Sequence, residues 1–228
     1  MNSMINPNEI AKFIDHTALT AEKTEQDILQ LCEEAIEHGF FSVCINSGYI
    51  PLAKQKLKDT NVKICTVVGF PLGANLSSVK AFEAEQAIQA GAEEVDMVIN
   101  VGWIKSAKWD QVRSDIATVL NACHGVTLKV ILETCLLTKE EIIKACEICR
   151  DLNVGFVKTS TGFNKGGATV EDIKLMRQTV GETIGVKASG GVRDTETAIA
   201  MIEAGATRIG ASAGIAIIKG LKADSGLY

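Results

Sequence analysis

The chain has 228 residues, 46% of them hydrophobic and 22% charged, which allows a large buried core and argues against disorder. A net charge of −5 argues against the basic face that a nucleic-acid binder needs. No stretch approaches the roughly 18 apolar residues of a membrane span, and no basic start followed by an apolar run opens the chain, so neither a membrane partner nor secretion is expected.

From the N-terminus, the first apolar run is 13–19 ("FIDHTAL"), followed by an amphipathic stretch at 23–38. The run at 41–46 ("FSVCIN") precedes a helical pattern at 48–58, and that at 62–70 ("VKICTVVGF") precedes one at 77–90. The alternation continues with 94–100 and 106–122, then 127–134 and 138–152, then 154–161 and 169–180. It ends with 184–189 and 194–205, then 207–212 and a short helical stretch near 213–219. Thr138 with Glu141 reads as a capping box, and Asp194 as a cap. Gly39, Gly91 and Gly205 close helical patterns where a left-handed residue is wanted. "QAGAEEVDMV" and "EAGATRIGAS" repeat one helix-Gly-Ala-strand phrase.

Eight β-then-α units without a linker predict one domain spanning 1–228, an α/β protein with the (β/α)₈ (TIM) barrel architecture. The alternative, a doubly wound open sheet, usually has fewer strands, and this chain has no first-turn G-x-G-x-x-G for a dinucleotide. Seven scattered cysteines fit free thiols in a reducing compartment, so a cytoplasmic location is expected. Cys146 and Cys149 form a C-x-x-C late in a helical pattern, without a second ligand pair for zinc, and read as packed apolar residues.

Alternate strand residues face a barrel's lumen, and chemistry collects at the strands' C-terminal ends. Asp96, Val98 and Asn100 share one face of the fourth strand, and Lys129, Ile131 and Glu133 one face of the fifth. Phe156, Lys158 and Ser160 share a face of the sixth, and Lys187 and Ser189 of the seventh. The opposite faces, Val95/Met97/Ile99, Val130/Leu132 and Val186/Ala188, suit packing against helices. Charge placed on one face by four neighbouring strands is costly unless the groups pair or shift pKa, and such groups gather at functional sites.

Lys158 and Lys187 would project side by side from adjacent strands. A neighbouring ammonium favours a neutral amine, the nucleophile that forms a Schiff base with a carbonyl. The resulting iminium draws electrons from the adjacent carbon, as carbon–carbon cleavage beside a carbonyl requires, and a carboxylate such as Asp96 could move protons. Glycine-bearing loops follow the last three strands: "STGFNKGGAT" with Lys165, "SGGV" and "GASAG". They occupy the place where barrels commonly build a phosphate site from backbone N–H groups and a short helix N-terminus.

The segments "IDHTAL" (14–19), "VCINS" (43–47), "VVGFPLG" (67–73), "EVDMVINVG" (94–102), "LKVILET" (128–134), "FVKTSTGF" (156–163), "VKASGGVR" (186–193) and "RIGAS" (208–212) resemble the deoxyribose-phosphate aldolase family along essentially the whole chain. The resemblance implies a class I aldolase with neither metal nor organic cofactor, acting on a phosphosugar. It would cleave 2-deoxy-D-ribose 5-phosphate reversibly to D-glyceraldehyde 3-phosphate and acetaldehyde. By motif, Lys158 would form the Schiff base, Lys187 would tune it and share in proton transfer, and Asp96 would donate and accept protons. Substrate binding would fall on Ser189, Gly190, Gly191, Gly210 and Ser212. Ala213 stands where some relatives have a second serine. A homodimer is common in the family. The terminal Tyr228 matches a tyrosine that family members use near the site, or is simply a chain end. Cys44 would line the lumen as a packed thiol, His16 would be structural, and Asp15 would play a polar role near the mouth.

Overall fold

The alternating pattern closes on itself. In the computed structural model, which describes residues 7–221, eight parallel strands form a closed barrel in sequence order. They are β1 (Ile14–Ala18), β2 (Ser42–Ile45), β3 (Lys63–Val68), β4 (Glu94–Val98), β5 (Thr127–Ile131), β6 (Phe156–Lys158), β7 (Gly185–Ser189) and β8 (Arg208–Ala211). Pairing of Ile14 with Ile209 and Asp15 with Gly210 joins the last strand to the first. Tyr228 lies outside the described residues.

The helices are α1 (Pro7–Ala11), α2 (Glu25–His38), α3 (Ile50–Lys56), α4 (Ser77–Ala90), α5 (Val101–Lys105), α6 (Trp109–Ala122), α7 (Lys139–Asp151), α8 (Val170–Val180), α9 (Thr195–Glu203) and α10 (Gly214–Lys219). Local chemistry sets several of their ends. Thr138 and Glu141 form the expected capping box of α7, and Asp194 accepts from the Thr197 N–H at the start of α9. Gly39 ends α2 at φ 66°, in the left-handed region that satisfies the last carbonyls without a Cβ clash.

Two apolar layers result from the period-two alternation. Val95, Met97, Val130, Leu132, Val186 and Ala188 join the large core between strands and helices, on the faces expected to pack there. Inside the barrel, Leu19, Cys44, Cys65 and Val67 form a separate small cluster. Cys146 and Cys149 are buried free thiols on α7, and burial pushes Cys149 up to about 12, which suits packing and not redox exchange.

The elements differ from the sequence reading mainly at their ends. Several strands stop short: β5 ends at Ile131 and β6 at Lys158, where 134 and 161 were expected, because the backbone turns there to build loops. The helix expected over 106–122 starts only at Trp109, after a turn at 106–107, and a separate α5 precedes it, capped by Asn100, whose side chain accepts from the Trp103 N–H. Between α4 and α6 lies an ion pair with no signal in the sequence. Lys80 Nζ donates to Asp115 Oδ2 at 2.7 Å and to the Val98 carbonyl at 2.9 Å, with both side chains fully buried. Among the described residues no helix is long and apolar enough to cross a membrane.

Candidate active site

Strands β4 to β7 carry Asp96, Lys129, Lys158 and Lys187 into one buried cluster. Asp96 Oδ2 accepts from Lys158 Nζ at 2.9 Å and from Lys187 Nζ at 2.8 Å. Its Oδ1 accepts from Lys129 Nζ at 2.7 Å and from the Cys65 thiol at 3.1 Å. The three residues expected to perform the chemistry are therefore brought together. Lys187 does not face Lys158 alone, since a carboxylate stands between them.

Below them the strands' N-terminal ends supply a second layer. Lys187 Nζ lies 2.5 Å from Asp15 Oδ2, and Lys129 Nζ lies 2.7 Å from Glu94 Oε2. Arg208 Nη1 bridges Asp15 Oδ1 at 2.9 Å and Glu94 Oε2 at 2.8 Å, with its guanidinium over the Phe41 ring. Asp15 also accepts from Ser42 Oγ at 2.7 Å and is fully buried. Its expected place near the mouth is thus corrected. The side chain points down to Ser42 and Arg208, the first residues of their strands, where it pairs with Arg208, Lys187 and, at 3.8 Å, Lys129.

Electrostatics follow from that packing. Burial pushes Asp96 up, but the ammonium groups of Lys129, Lys158 and Lys187 outweigh it and hold the carboxyl well below its usual range. Asp15 is likewise raised by burial and lowered further by Lys187, Lys129 and Arg208, ending below the ordinary value. For Lys187, desolvation favours the neutral amine, yet Asp15 and Asp96 overcome it and keep the ammonium form. Lys129 is raised in the same way, chiefly by Asp96 against burial.

The ion pairs join four cations, Lys129, Lys158, Lys187 and Arg208, to three carboxylates, Asp15, Glu94 and Asp96. One positive charge is left over. Lys129 and Lys187 each form ion pairs with at least two carboxylates, whereas among the described residues Lys158 forms an ion pair within 4 Å with Asp96 alone. It is also 3% exposed where the other two lysines are at 0%. Lys158 is thus the amine that is both least held and most reachable.

Cys44, Cys65 and Asp96 could offer ligand atoms within 4.8 Å of one another. The space beside them is filled by Lys129, whose Nζ lies 3.2 Å from Cys65 Sγ. That ammonium already bonds two of the three donors, Cys65 and Asp96, so this donor set does not fit a metal. Cys44 belongs to the lumen cluster, as expected.

The glycine loops sit beside Lys187. Ser189 is fully buried, and its Oγ has no hydrogen-bond partner among the described residues. Gly210 pairs with it across β7 and β8, and a Cβ there would fall 2.3 Å from Ser189 Oγ and 2.9 Å from Lys187 Cε. Gly190 and Gly191 hold φ of 81° and 79°, left-handed values that favour glycine. Ser189 and Gly210 adjoin Lys187, and Gly190 and Gly191 continue the chain from the end of β7. Ser212 stands apart, exposed on the rim of a cleft of about 610 Å³ that it shares with Thr17 and Glu34. Lys165 is exposed in the loop after β6. His16 is structural: its Nε2 meets Glu34 Oε2 at 2.7 Å and its ring packs on Phe40.

Arg208 and Glu94 escaped sequence reasoning although a signal was present. Each lies two residues before a lumen position, Gly210 and Asp96, so the same period-two face contained them. Glu133 departs from the expected alternation. It lies beyond β5 with φ 56° and ψ 60° and directs its carboxylate to Thr161.

Eight parallel strands enclosing lysines bridged by carboxylates define a (β/α)₈-barrel enzyme. Residues 10–220 match the family model described as DeoC/LacD family aldolase. A deoxyribose-phosphate aldolase of Actinobacillus succinogenes is 80% identical over 224 residues, 98% of this chain and 100% of its own. That of Mannheimia succiniciproducens is 78% identical over the same length, 98% of this chain and 100% of its own. A solved deoxyribose phosphate aldolase of Aeropyrum pernix, described as tetrameric, has a TM-score of 0.88 at 30% identity over 94% of this chain and 91% of its own. The chain belongs to the DeoC/LacD aldolase family.

Proposed function

We propose that the chain cleaves 2-deoxy-D-ribose 5-phosphate reversibly to D-glyceraldehyde 3-phosphate and acetaldehyde through a Schiff base on Lys158. The observation that carries this reading is the shared acceptor: Asp96 Oδ2 holds the Lys158 and Lys187 ammonium groups at 2.9 and 2.8 Å. The Lys158 amine adds to the C1 aldehyde and water leaves, forming an iminium. Removal of the proton from the C3 hydroxyl breaks the C2–C3 bond, and its electron pair enters the C1–C2 enamine as the iminium nitrogen becomes neutral. D-glyceraldehyde 3-phosphate departs. Protonation of the enamine carbon and hydrolysis then release acetaldehyde and restore the amine.

Asp96 and Lys187 carry the protons in this reading, because a carboxylate bonded to two ammonium groups passes a proton over hydrogen-bond distances. Ser189, Gly190, Gly191 and Gly210 bind the phosphate end, with Ser212 completing the rim. The seven free cysteines support a cytoplasmic setting. Exposed Leu72, Leu76, Val79 and Phe82 support a homodimer, which sedimentation velocity tests.

Incubation with the sugar phosphate, reduction with borohydride and peptide mapping test the mechanism. A mass increase on the Lys158 peptide, with acetaldehyde release, supports it. An adduct on Lys187 alone reverses the two roles, and the lack of any adduct removes the Schiff base.

A further inference from the structure

β6 is the shortest strand of the barrel, and Lys158 is its last residue. What holds the chain beyond Lys158 therefore decides where its amine stands. On one side Thr159 does so: its N–H donates to the Lys187 carbonyl at 3.1 Å, and its Oγ1 donates to the Ser189 carbonyl at 3.0 Å. On the other side the backbone ladder from β5 is broken. The Leu132 N–H reaches the Lys158 carbonyl and the Thr134 N–H reaches the Thr159 carbonyl, each at 2.9 Å. Between them Glu133 turns into the left-handed region, rare for a side chain of this size.

The Glu133 carboxylate takes over what the broken ladder would supply. Oε1 accepts from the Thr161 N–H at 3.3 Å, and Oε2 accepts from the Thr161 hydroxyl at 2.5 Å. Thr161 Oγ1 in turn accepts from the Phe163 N–H at 3.1 Å. Glu133 is 3% exposed and Thr161 1%. The segment caught between Lys158 and Thr161 includes Ser160, fully buried, whose Oγ has no hydrogen-bond partner among the described residues.

We infer that Glu133 is a positioning residue that, acting through Thr161, fixes the backbone after β6 so that the Lys158 amine and the Ser160 hydroxyl face the bound substrate together. This rests on the aldolase reading above. A strained backbone at a buried carboxylate fits that role: the turn aims both oxygens at one residue of the neighbouring strand's extension. Burial also pushes the Glu133 carboxyl up, against the hydrogen bonds from Thr161 and the charge of Lys158.

The test uses Glu133→Gln, Thr161→Val, Thr161→Ser and the Glu133→Gln/Thr161→Val pair, assayed well below their unfolding temperatures. Gln keeps the shape but turns one acceptor into a donor facing Thr161. Glu133→Gln and Thr161→Val should each lower kcat and the rate of borohydride-trapped Lys158 adduct about tenfold or more, with KM changed less than about threefold. Thr161→Ser, which keeps the hydroxyl, should stay within about threefold of wild type, and the pair should be no worse than its worse member. Wild-type kcat in Glu133→Gln or Thr161→Val, or multiplied losses in the pair, overturns the inference while leaving the aldolase reading intact. Should Glu133→Gln fail to fold, equal losses in Thr161→Val and Thr161→Ser overturn it as well. A wild-type protein that releases no acetaldehyde from the sugar phosphate overturns both.

Discussion

Lys187 is gripped from two sides, by Asp96 Oδ2 at 2.8 Å and by Asp15 Oδ2 at 2.5 Å, within the wall that also carries Lys158. An ammonium held by two carboxylates is a fixed charge. Its neighbour Lys158 shares only one of those carboxylates. In the proposed mechanism, the division of roles between two lysines in nearly identical sequence contexts rests on this difference in partners.

Lys187→Met should lower kcat about 10²–10⁴-fold, the range for loss of a proton-transfer group. Asp96 would lose one of the cations that depress it, so its carboxyl rises and the acid limb of the residual activity moves to higher pH. A pH–rate profile of the variant that superimposes on wild type after scaling would contradict the coupling.

Acid should weaken the fold through the same carboxylates. Asp15 and Asp96 have folded pKa values below their unfolded ones. The unfolded chain therefore binds more protons in acid, and stability drops as the pH is lowered. Their contribution is complete above about pH 4 and is lost as pH drops toward the folded values. Lys129 and Lys187 act in the opposite sense: their raised values give stability that is whole below about pH 10 and lost in stronger alkali. Urea midpoints measured from pH 3 to 8 should show the acid fall, and Asp15→Asn should make it shallower.

Gly210→Ala places a methyl 2.3 Å from Ser189 Oγ and 2.9 Å from Lys187 Cε. Both side chains belong to the site, and a displacement near 1 Å costs about 10²-fold in rate. The variant should fold, keep its far-UV spectrum and lose about that factor in kcat. Wild-type turnover would show that Ser189 and Lys187 can give way freely.

The Lys80–Asp115 pair tests the barrel's outer shell. Lys80→Met alone leaves Asp115 buried without its cation, at a cost of about 3–5 kcal/mol, whereas Lys80→Met with Asp115→Leu should recover most of that loss. Chemical denaturation of the two variants measures the difference. A double variant as unstable as the single one would mean that the bond from Lys80 to the Val98 carbonyl carries the stabilisation.

Period-two alternation made the wall of the site readable: Asp96, Lys129, Lys158 and Lys187 all lie where it put them, as do the apolar faces behind them. Glycine and cap chemistry located the ends of α2, α7 and α9. What alternation could not reach lies where strands end, since Glu133 leaves β5 through a left-handed turn that no pattern of apolar residues encodes. Partner choice was equally hidden. Asp15 sits two positions from Thr17 on an ordinary-looking strand, and only closure of β8 onto β1 brings Arg208 to it.

The left-over positive charge in the barrel has an evolutionary consequence. The groups that surround the proposed Schiff-base amine are also the filling of the barrel, so on that mechanism a change there alters chemistry and folding at once. Selection for new substrates is thereby directed away from the interior and toward the loops after β6, β7 and β8, where Lys165, Gly191 and Ser212 meet solvent. A lineage of such enzymes would keep its charged interior nearly constant while its rim diversifies.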